Sequence, residues 1–401
     1  MTATRWPAVA AAIATGVVAA AYVGKLPPAL PALTSEFGLS LVAAGWVVSM
    51  FNAIATATAI FFGVAADRAG AFRACIAGLV LLAVGGAAGA LASGTVGLMA
   101  SRVVEGIGFI TVSVSAAALV FSAAAPDDRR LALGVWSAYM PFGFALTVLA
   151  APPLLAAVGW RGLWIAVVVV TAACGAWLAT QPRQYGLPPA AGRSLTAITA
   201  ALRQPGPWWV AAAMGFYTAQ WSSVMVWLPT FLVQERESSV LAASLATALA
   251  VVVNVPGNLT GTWLLQRRVE RGRIIVAGAV TMGVCGVVSL AAPIPDALRY
   301  VACLLLSYGG GIIPPAVLSS TQVYARSGAQ VASLQGLIMQ GSNLGQFVGP
   351  VAIAALVSAT GDWANAAWVL GAAAACAAAC GRVVSRIERG PRATKRLAAP
   401  D

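Results

Sequence analysis

Apolar runs of about 20 residues follow one another along almost the whole chain, and they limit its fold more than any other feature. A helix needs about 20 residues to cross the hydrocarbon core of a bilayer. Backbone in lipid must satisfy its own hydrogen bonds, which leaves helices or closed barrels. Cutting the 401-residue chain at charge clusters and Pro/Gly-rich turns gives twelve runs: 7–30, 41–65, 74–92, 96–121, 131–155, 163–181, 207–232, 240–265, 274–291, 298–320, 334–358 and 364–384. Only 9% of residues are charged, against about 25% in soluble domains, too few to cover a soluble surface. The expected fold class is an all-α membrane protein of twelve transmembrane helices.

The net charge of +12 would suggest nucleic acid in a soluble protein. Its distribution points elsewhere. With the N-terminus inside, 19 of the 24 basic residues fall in seven short cytoplasmic segments. The outer loops hold only Arg161, Arg236 and Arg299. This is the excess that cytoplasmic loops carry, and it orients both termini to the cytoplasm. The first run has the outline of a signal peptide, with Arg5 and the small triplet Ala19, Ala20, Ala21. Its removal would leave eleven spans, so it is read as the first span.

The absence of His removes His-based metal sites and His general bases. The six Cys lie inside apolar runs without CxxC spacing and read as small buried hydrophobes. No metal or cofactor is expected, and no phosphate-binding loop supplies ATP drive.

The longest charged connector, 182–206, divides the chain into halves 1–181 and 207–384, followed by a basic cytoplasmic tail at 385–401. A shift of 202 residues places Leu26, Pro27 and Leu30 on Leu228, Pro229 and Leu232, Asn52 on Asn254, Gly70 on Gly272, and Gly108 on Gly310. Each half starts inside and holds six spans, so the halves are parallel repeats.

The connector after the second span carries Gly63, Asp67, Arg68, Gly70 and Arg73. Its glycines permit close approach and unusual backbone angles. Asp67 precedes a helix N-terminus, where the macrodipole favours an acid. This stretch resembles the G-x-x-x-D-R-x-G-x-R-R signature of the major facilitator superfamily, with Phe72 in place of one basic residue. The run Arg102, Glu105, Gly106, Gly108 is similar to the family's fourth-span motif, and Lys25 to Ser40 with Gly45 and Trp46 resembles its first hairpin. The resemblance covers the whole chain. It implies a secondary transporter with two six-helix bundles working by alternating access. It also implies a cytoplasmic latch at Gly63, Asp67, Arg68, Gly70 and Arg73, and a cavity lined by spans one, four, seven and ten. The fifth-span ending of many drug/proton antiporters is absent; Pro152 and Pro153 stand there.

Ionisable groups at membrane depth cost roughly 2.5–3.5 kcal/mol to insert. Only Lys25, Arg102 and Glu105 qualify. Arg102 and Glu105 are three apart and can pair on one helix face. That pair is either structural or part of substrate and proton handling. Glu105 is the candidate for proton coupling. Lys25 either snorkels outward or presents an anion-binding ammonium to the cavity. With Arg102 it would favour a small organic anion. Tyr22, Tyr139, Tyr217, Gln220, Trp221, Tyr308, Gln340 and Asn343 are further substrate-binding candidates, each also readable as interhelical glue.

The expected function is secondary active transport of a small organic solute, coupled to protons, across a bacterial inner membrane. Arg outnumbers Lys 22 to 2 and Ala and Gly abound, which suggests a GC-rich bacterial genome. The expected partners are the solute, protons and the lipid bilayer, with a monomeric chain. Efflux of drugs or metabolites on the same fold is the alternative. An intramembrane enzyme would need paired catalytic groups that the spans lack.

Overall fold

The computed structural model describes residues 4–57, 70–182, 185, 203–291, 294–324 and 328–389. All regular structure among these residues is helical. The first helices are α1 (Trp6–Gly24), α2 (Leu26–Phe37), α3 (Leu41–Ser49), α4 (Ala71–Ala90), α5 (Thr95–Ala123), α6 (Arg129–Ser137) and α7 (Tyr139–Ala179). They are followed by α8 (Pro205–Arg236), α9 (Val240–Val252), α10 (Asn254–Gln266), α11 (Arg271–Leu290), α12 (Asp296–Ser319), α13 (Thr321–Tyr324), α14 (Gly328–Thr360) and α15 (Ala366–Arg389).

Among the described residues, nine helical stretches are long and apolar enough to cross a membrane. Leu131–Ala179, at 49 residues, covers two of the expected spans. It breaks at Gly159, whose φ of 66° and ψ of −177° lie outside the helical region. Only a residue without Cβ adopts that conformation cheaply. The apolar helix Leu41–Ala57 is the described part of the second expected span, and α8 covers the seventh. Arg161 and Arg299, expected in outer loops, lie within helices α7 and α12.

α1 and α2 meet at Lys25, which is not part of either helix. Pro27 and Pro28 follow it, and Pro31 lies inside α2. Proline lacks the N–H and its ring crowds the carbonyl four residues back, which interrupts the helical hydrogen bonding at this junction. The Lys25 N–H still reaches Ala21 O at 2.9 Å. Lys25 itself keeps near-helical angles, with φ of −69° and ψ of −26°. Gly38, with φ of 60°, ends α2.

The described contacts group into two compact units: Met1–Gly192 with Val224–Val252, and Arg193–Ser223 with Val253–Asp401. Val224–Val252 groups with the N-terminal residues. In the first unit α4 packs on α5, α1 and α4 pack on α7, and α9 also packs on α7. In the second, α11 packs on α12 and α15, and α10 on α12.

Small residues set these crossings. A Cβ on Gly108 of α5 would lie 2.7 Å from Gly78 O of α4. In the second unit a Cβ on Gly278 of α11 would lie 2.7 Å from Gly309 O of α12. The third and fourth long helices of each unit thus cross in the same manner. Close backbone approach through glycine is how helices associate where the hydrophobic effect gives no preference for protein over lipid. Gly106 is the tightest case, since a Cβ there would stand 1.8 Å from Phe51 O.

Gly106→Ala is therefore expected to destabilise by about 1–3 kcal/mol or more through overpacking. Gly97→Ala on the same helix is expected to be tolerated, because its nearest neighbour would be Ala92 Cβ at 3.7 Å. Thermal unfolding of the two purified variants in detergent tests this, and equal unfolding temperatures would contradict it.

Outside the spans, Glu270 accepts hydrogen bonds from Arg389 Nε at 3.0 Å and lies 3.3 Å from Arg273 Nε. Hydrogen bonding by Arg389 holds the Glu270 carboxyl below the ordinary carboxylate range. Its contribution to stability is full above that range and fades as pH falls through the depressed value. Glu270→Gln is expected to flatten this part of the acid limb of an unfolding-versus-pH curve.

Candidate functional site

The site is built at the junction between α1 and α2. Lys25 Nζ donates to Glu105 Oε1 of α5 at 2.7 Å. Arg102 Nη1, one helical turn before Glu105, donates to Glu105 Oε2. The same Nη1 donates to Tyr22 O at 3.0 Å. The three ionisable side chains expected to matter at membrane depth therefore form one cluster. The side chains of Lys25 and Glu105 are 0% exposed and that of Arg102 is 2% exposed. Lys25 does not snorkel, since its ammonium points into the first unit.

Aromatic rings complete the enclosure. Lys25 Nζ lies 4.2 Å from the centre of the Tyr22 ring and 4.4 Å from that of Trp164 on α7. Arg102 Cζ lies 4.5 Å from the centre of the Phe51 ring. The Tyr22 hydroxyl is 3.0 Å from Thr171 Oγ1 of α7. Helix α4 admits these groups by having almost no side chains on the facing side. A Cβ on Gly85 would meet Glu105 Cγ at 2.9 Å, one on Gly86 would meet Tyr22 Cε1 at 3.0 Å, and one on Gly89 would meet Trp164 Nε1 at 2.9 Å.

The electrostatics do not balance within the cluster. Two cations face one carboxylate, a formal surplus of one positive charge in a space with no solvent exposure. Two buried donors, Arg102 Nε and Trp164 Nε1, have no hydrogen-bond partner among the described residues. Removing charges from water is expensive, and an unmatched one is costlier still.

Above the cluster, Glu36 near the end of α2 accepts from Trp160 Nε1 at 2.6 Å and from Arg161 Nη1 at 2.5 Å. Arg161 Nη2 also donates to Ala92 O at 3.2 Å. The Trp160 and Trp164 rings meet edge to face at 5.5 Å. A chain of aromatic contacts thus runs from the exposed Glu36–Arg161 pair to Lys25.

The second unit has an uncharged counterpart. Trp221 Nε1 donates to Ser307 Oγ at 3.0 Å, and Asn254 Nδ2 donates to Ser307 O at 2.9 Å and to the Tyr217 hydroxyl at 3.4 Å. Asn258 Nδ2 donates to Asn254 Oδ1 at 2.9 Å. Ser307 stands 202 residues after Glu105, so the repeat places a hydroxyl where the first half has the carboxylate. Glu105 accepts from Lys25 at the α1–α2 junction, and Ser307 accepts from Trp221 on α8.

The remaining candidates are more dispersed. Gln220 is buried and donates to Phe216 O in its own helix, and its Oε1 has no partner among the described residues. The Tyr308 hydroxyl is 2.8 Å from Thr260 Oγ1. Asn343 donates to Met339 O in its own helix, and Gln340 is partly buried nearby. Tyr139 donates to Ser113 Oγ at 3.1 Å and stacks on Trp136 at 4.3 Å. The structure does not join it to the Lys25 cluster. Of the latch, Gly70 and Arg73 are described; Gly70 has φ of 83°, and Arg73 is exposed. Gly63, Asp67 and Arg68 lie outside the described residues.

Sequence reasoning missed Trp164 and the glycine face of α4. The repeated glycines at 85, 86 and 89 signal a close approach but do not say of what.

The description "Major Facilitator Superfamily" belongs to the family model that matches residues 10–341. The probable galactarate/D-glucarate transporter of Pseudomonas putida is 30% identical over 173 residues, which are 39% of this chain and 37% of that protein. The hexuronate transporter of Bacillus subtilis is 23% identical over 84% of each chain. Among solved structures, a bacterial homologue of the human lysosomal transporter Spinster, in an inward-facing and unoccupied conformation, superposes with a TM-score of 0.80. That match is 14% identical and covers 96% of this chain and 98% of the other.

Glu105→Ala leaves two buried cations unpaired and is expected to cost about 3–5 kcal/mol of stability. Lys25→Met removes the surplus cation and leaves a neutral Arg102–Glu105 pair, so its loss is expected to be smaller. Thermal unfolding in detergent compares the two, and equal losses would contradict the charge surplus.

Proposed function

The chain belongs to the Major Facilitator Superfamily, and we propose that within it this transporter moves a small organic anion across the bacterial inner membrane, with Glu105 coupling the movement to protons. The observation that carries this reading is the buried surplus of positive charge at Lys25, Arg102 and Glu105. A second anion is the ligand that such a cluster lacks. The named relatives support the same chemistry, since galactarate, glucarate and hexuronates all bear carboxylates.

The mechanism follows from competition. With Glu105 ionised, its two oxygens occupy Lys25 and Arg102. Protonation of Glu105 removes the internal carboxylate and leaves both cations for the substrate. Loss of that proton on the other side restores the internal pairs and expels the anion. Halves 1–181 and 207–384 rock about this site, joined by connector 182–206, and the motif from Gly63 to Arg73 latches the cytoplasmic side. Tyr217, Gln220, Trp221, Tyr308, Gln340 and Asn343 supply uncharged contacts from the second half. Tyr139 lines the approach from the first. The chain acts as a monomer with its termini in the cytoplasm, and the 19-to-3 division of basic residues supports that orientation.

Uptake of radiolabelled galactarate and glucuronate into proteoliposomes, under an imposed pH gradient, tests the reading. Wild type is expected to accumulate at least one of them and to lose the accumulation with a protonophore. Glu105→Gln is expected to retain exchange of internal for external substrate but to lose proton-driven accumulation. Lys25→Gln is expected to raise KM about tenfold or more, the effect of losing one charge-assisted contact. Absence of transport of every acid tried would overturn the anion assignment. Accumulation by Glu105→Gln equal to wild type would overturn the coupling role.

A further inference from the structure

The ammonium of Lys25 has three N–H groups and one carboxylate partner. Its other near neighbours are the faces of Tyr22 and Trp164, at 4.2 and 4.4 Å from the ring centres. These two rings come from different helices, α1 and α7. Each is held independently. The Tyr22 hydroxyl is tied to Thr171, and Trp164 is braced by Trp160 at 5.5 Å and by the bare face of α4 at Gly89. The indole is fully buried, and its N–H meets no acceptor among the described residues. A buried indole placed only for packing would ordinarily find a partner for that N–H. Here its orientation instead presents the ring face to the ammonium.

We infer that Trp164 is a positioning residue: with Tyr22 it forms a two-sided aromatic cage that keeps Lys25 charged and in place when Glu105 no longer pairs with it. The inference rests on the proposed exchange between Glu105 and a substrate anion for the functional meaning of the cage. The cage itself rests on the geometry alone. A cation over an aromatic face is attracted by the ring quadrupole, and the attraction is strongest where water is excluded. In the ionised state of Glu105 the carboxylate dominates. When Glu105 is neutral, the rings are the remaining neighbours that favour a cation. The charged and titratable groups facing Lys25 are Glu105 and Arg102 from α5 and Tyr22 from α1. Among the described residues around it, α4 presents Gly85, Gly86 and Gly89, and α7 presents Trp164 and Thr171, none of which carries charge.

The sequence makes the test direct, because Lys25 and Lys395 are its only lysines. Protein labelled with 15N and 13C at lysine gives two side-chain signals, and Lys25→Arg assigns them. In wild type the Lys25 signal is expected to carry a ring-current shift, and its titration can be followed without any substrate. Trp164→Leu is expected to remove the shift and make the ammonium lose its proton at a proton concentration about tenfold higher. Trp164→Phe keeps a ring face and is expected to stay within about threefold of wild type. Placing fluorinated phenylalanine at position 164 preserves the shape of Trp164→Phe while weakening the ring quadrupole. This comparison replaces the leucine variant if that variant does not fold. It is expected to move the titration in the same direction as Trp164→Leu. The Lys395 signal serves as the internal control and is expected to stay unchanged.

A folded Trp164→Leu protein titrating like wild type, or no difference between fluorinated and plain phenylalanine, would overturn the cage. The pH profile of galactarate or glucuronate uptake gives the functional readout. Trp164→Leu is expected to shift its limb while Trp164→Phe largely retains it. If wild type transports neither acid, the anion reading fails, and the lysine signals still decide the cage.

Discussion

One carboxylate cannot neutralise two cations, and around this the first unit is arranged. Glu105 gives one oxygen to Lys25 and the other to Arg102, and no second acid stands nearby among the described residues. In water the surplus charge would be screened. At 0–2% exposure it is not, so the protein surrounds it with ring faces, a backbone carbonyl and tightly packed helix. Such a cluster is a poor way to gain stability, because desolvation offsets most of the attraction between the charges. Under the proposed function it is the resting state of a site that exchanges one anion for another.

The enclosure depends on what is missing from α4 and α5. Gly85, Gly86 and Gly89 leave room for Glu105, Tyr22 and Trp164, while Gly106 admits the backbone of Phe51. A methyl group at any of these positions would push against a member of the cluster or its support. The second unit uses glycines for helix crossing too, yet gathers an uncharged site around Ser307. A shared repeat thus carries two chemistries, a charged one in the first half and a hydrogen-bonding one in the second.

Much of this was legible in the sequence, and the reasons are local. Apolar length, the scarcity of charge and the positions of Arg and Lys are properties of short windows, so the helical membrane class follows directly. The pairing of Arg102 with Glu105 follows from their spacing on one helix. The contact of Lys25 with Glu105 does not, because 80 residues separate them and nothing local chooses between a snorkelling and an inward lysine. Trp164 was invisible for the same reason: an aromatic residue near the end of a span reads as an interfacial anchor until a partner is known. Pro27 and Pro28 stand beside Lys25 in the sequence, but the direction in which the ammonium points, toward α5, needs three dimensions.

The α1–α2 junction at Lys25 would be the pivot of any swivel here, because Pro27 and Pro28 lack the N–H groups that stiffen a helix. Beyond it α2 runs 12 residues, about 18 Å at the helical rise, to the tip that carries Glu36. A rotation of about 10° at the pivot would sweep that tip through about 3 Å. Displacements of that size would break hydrogen bonds of 2.5–2.6 Å such as those from Trp160 and Arg161 to Glu36. Any swivel of the backbone at the junction would thus be enlarged at the Glu36 end.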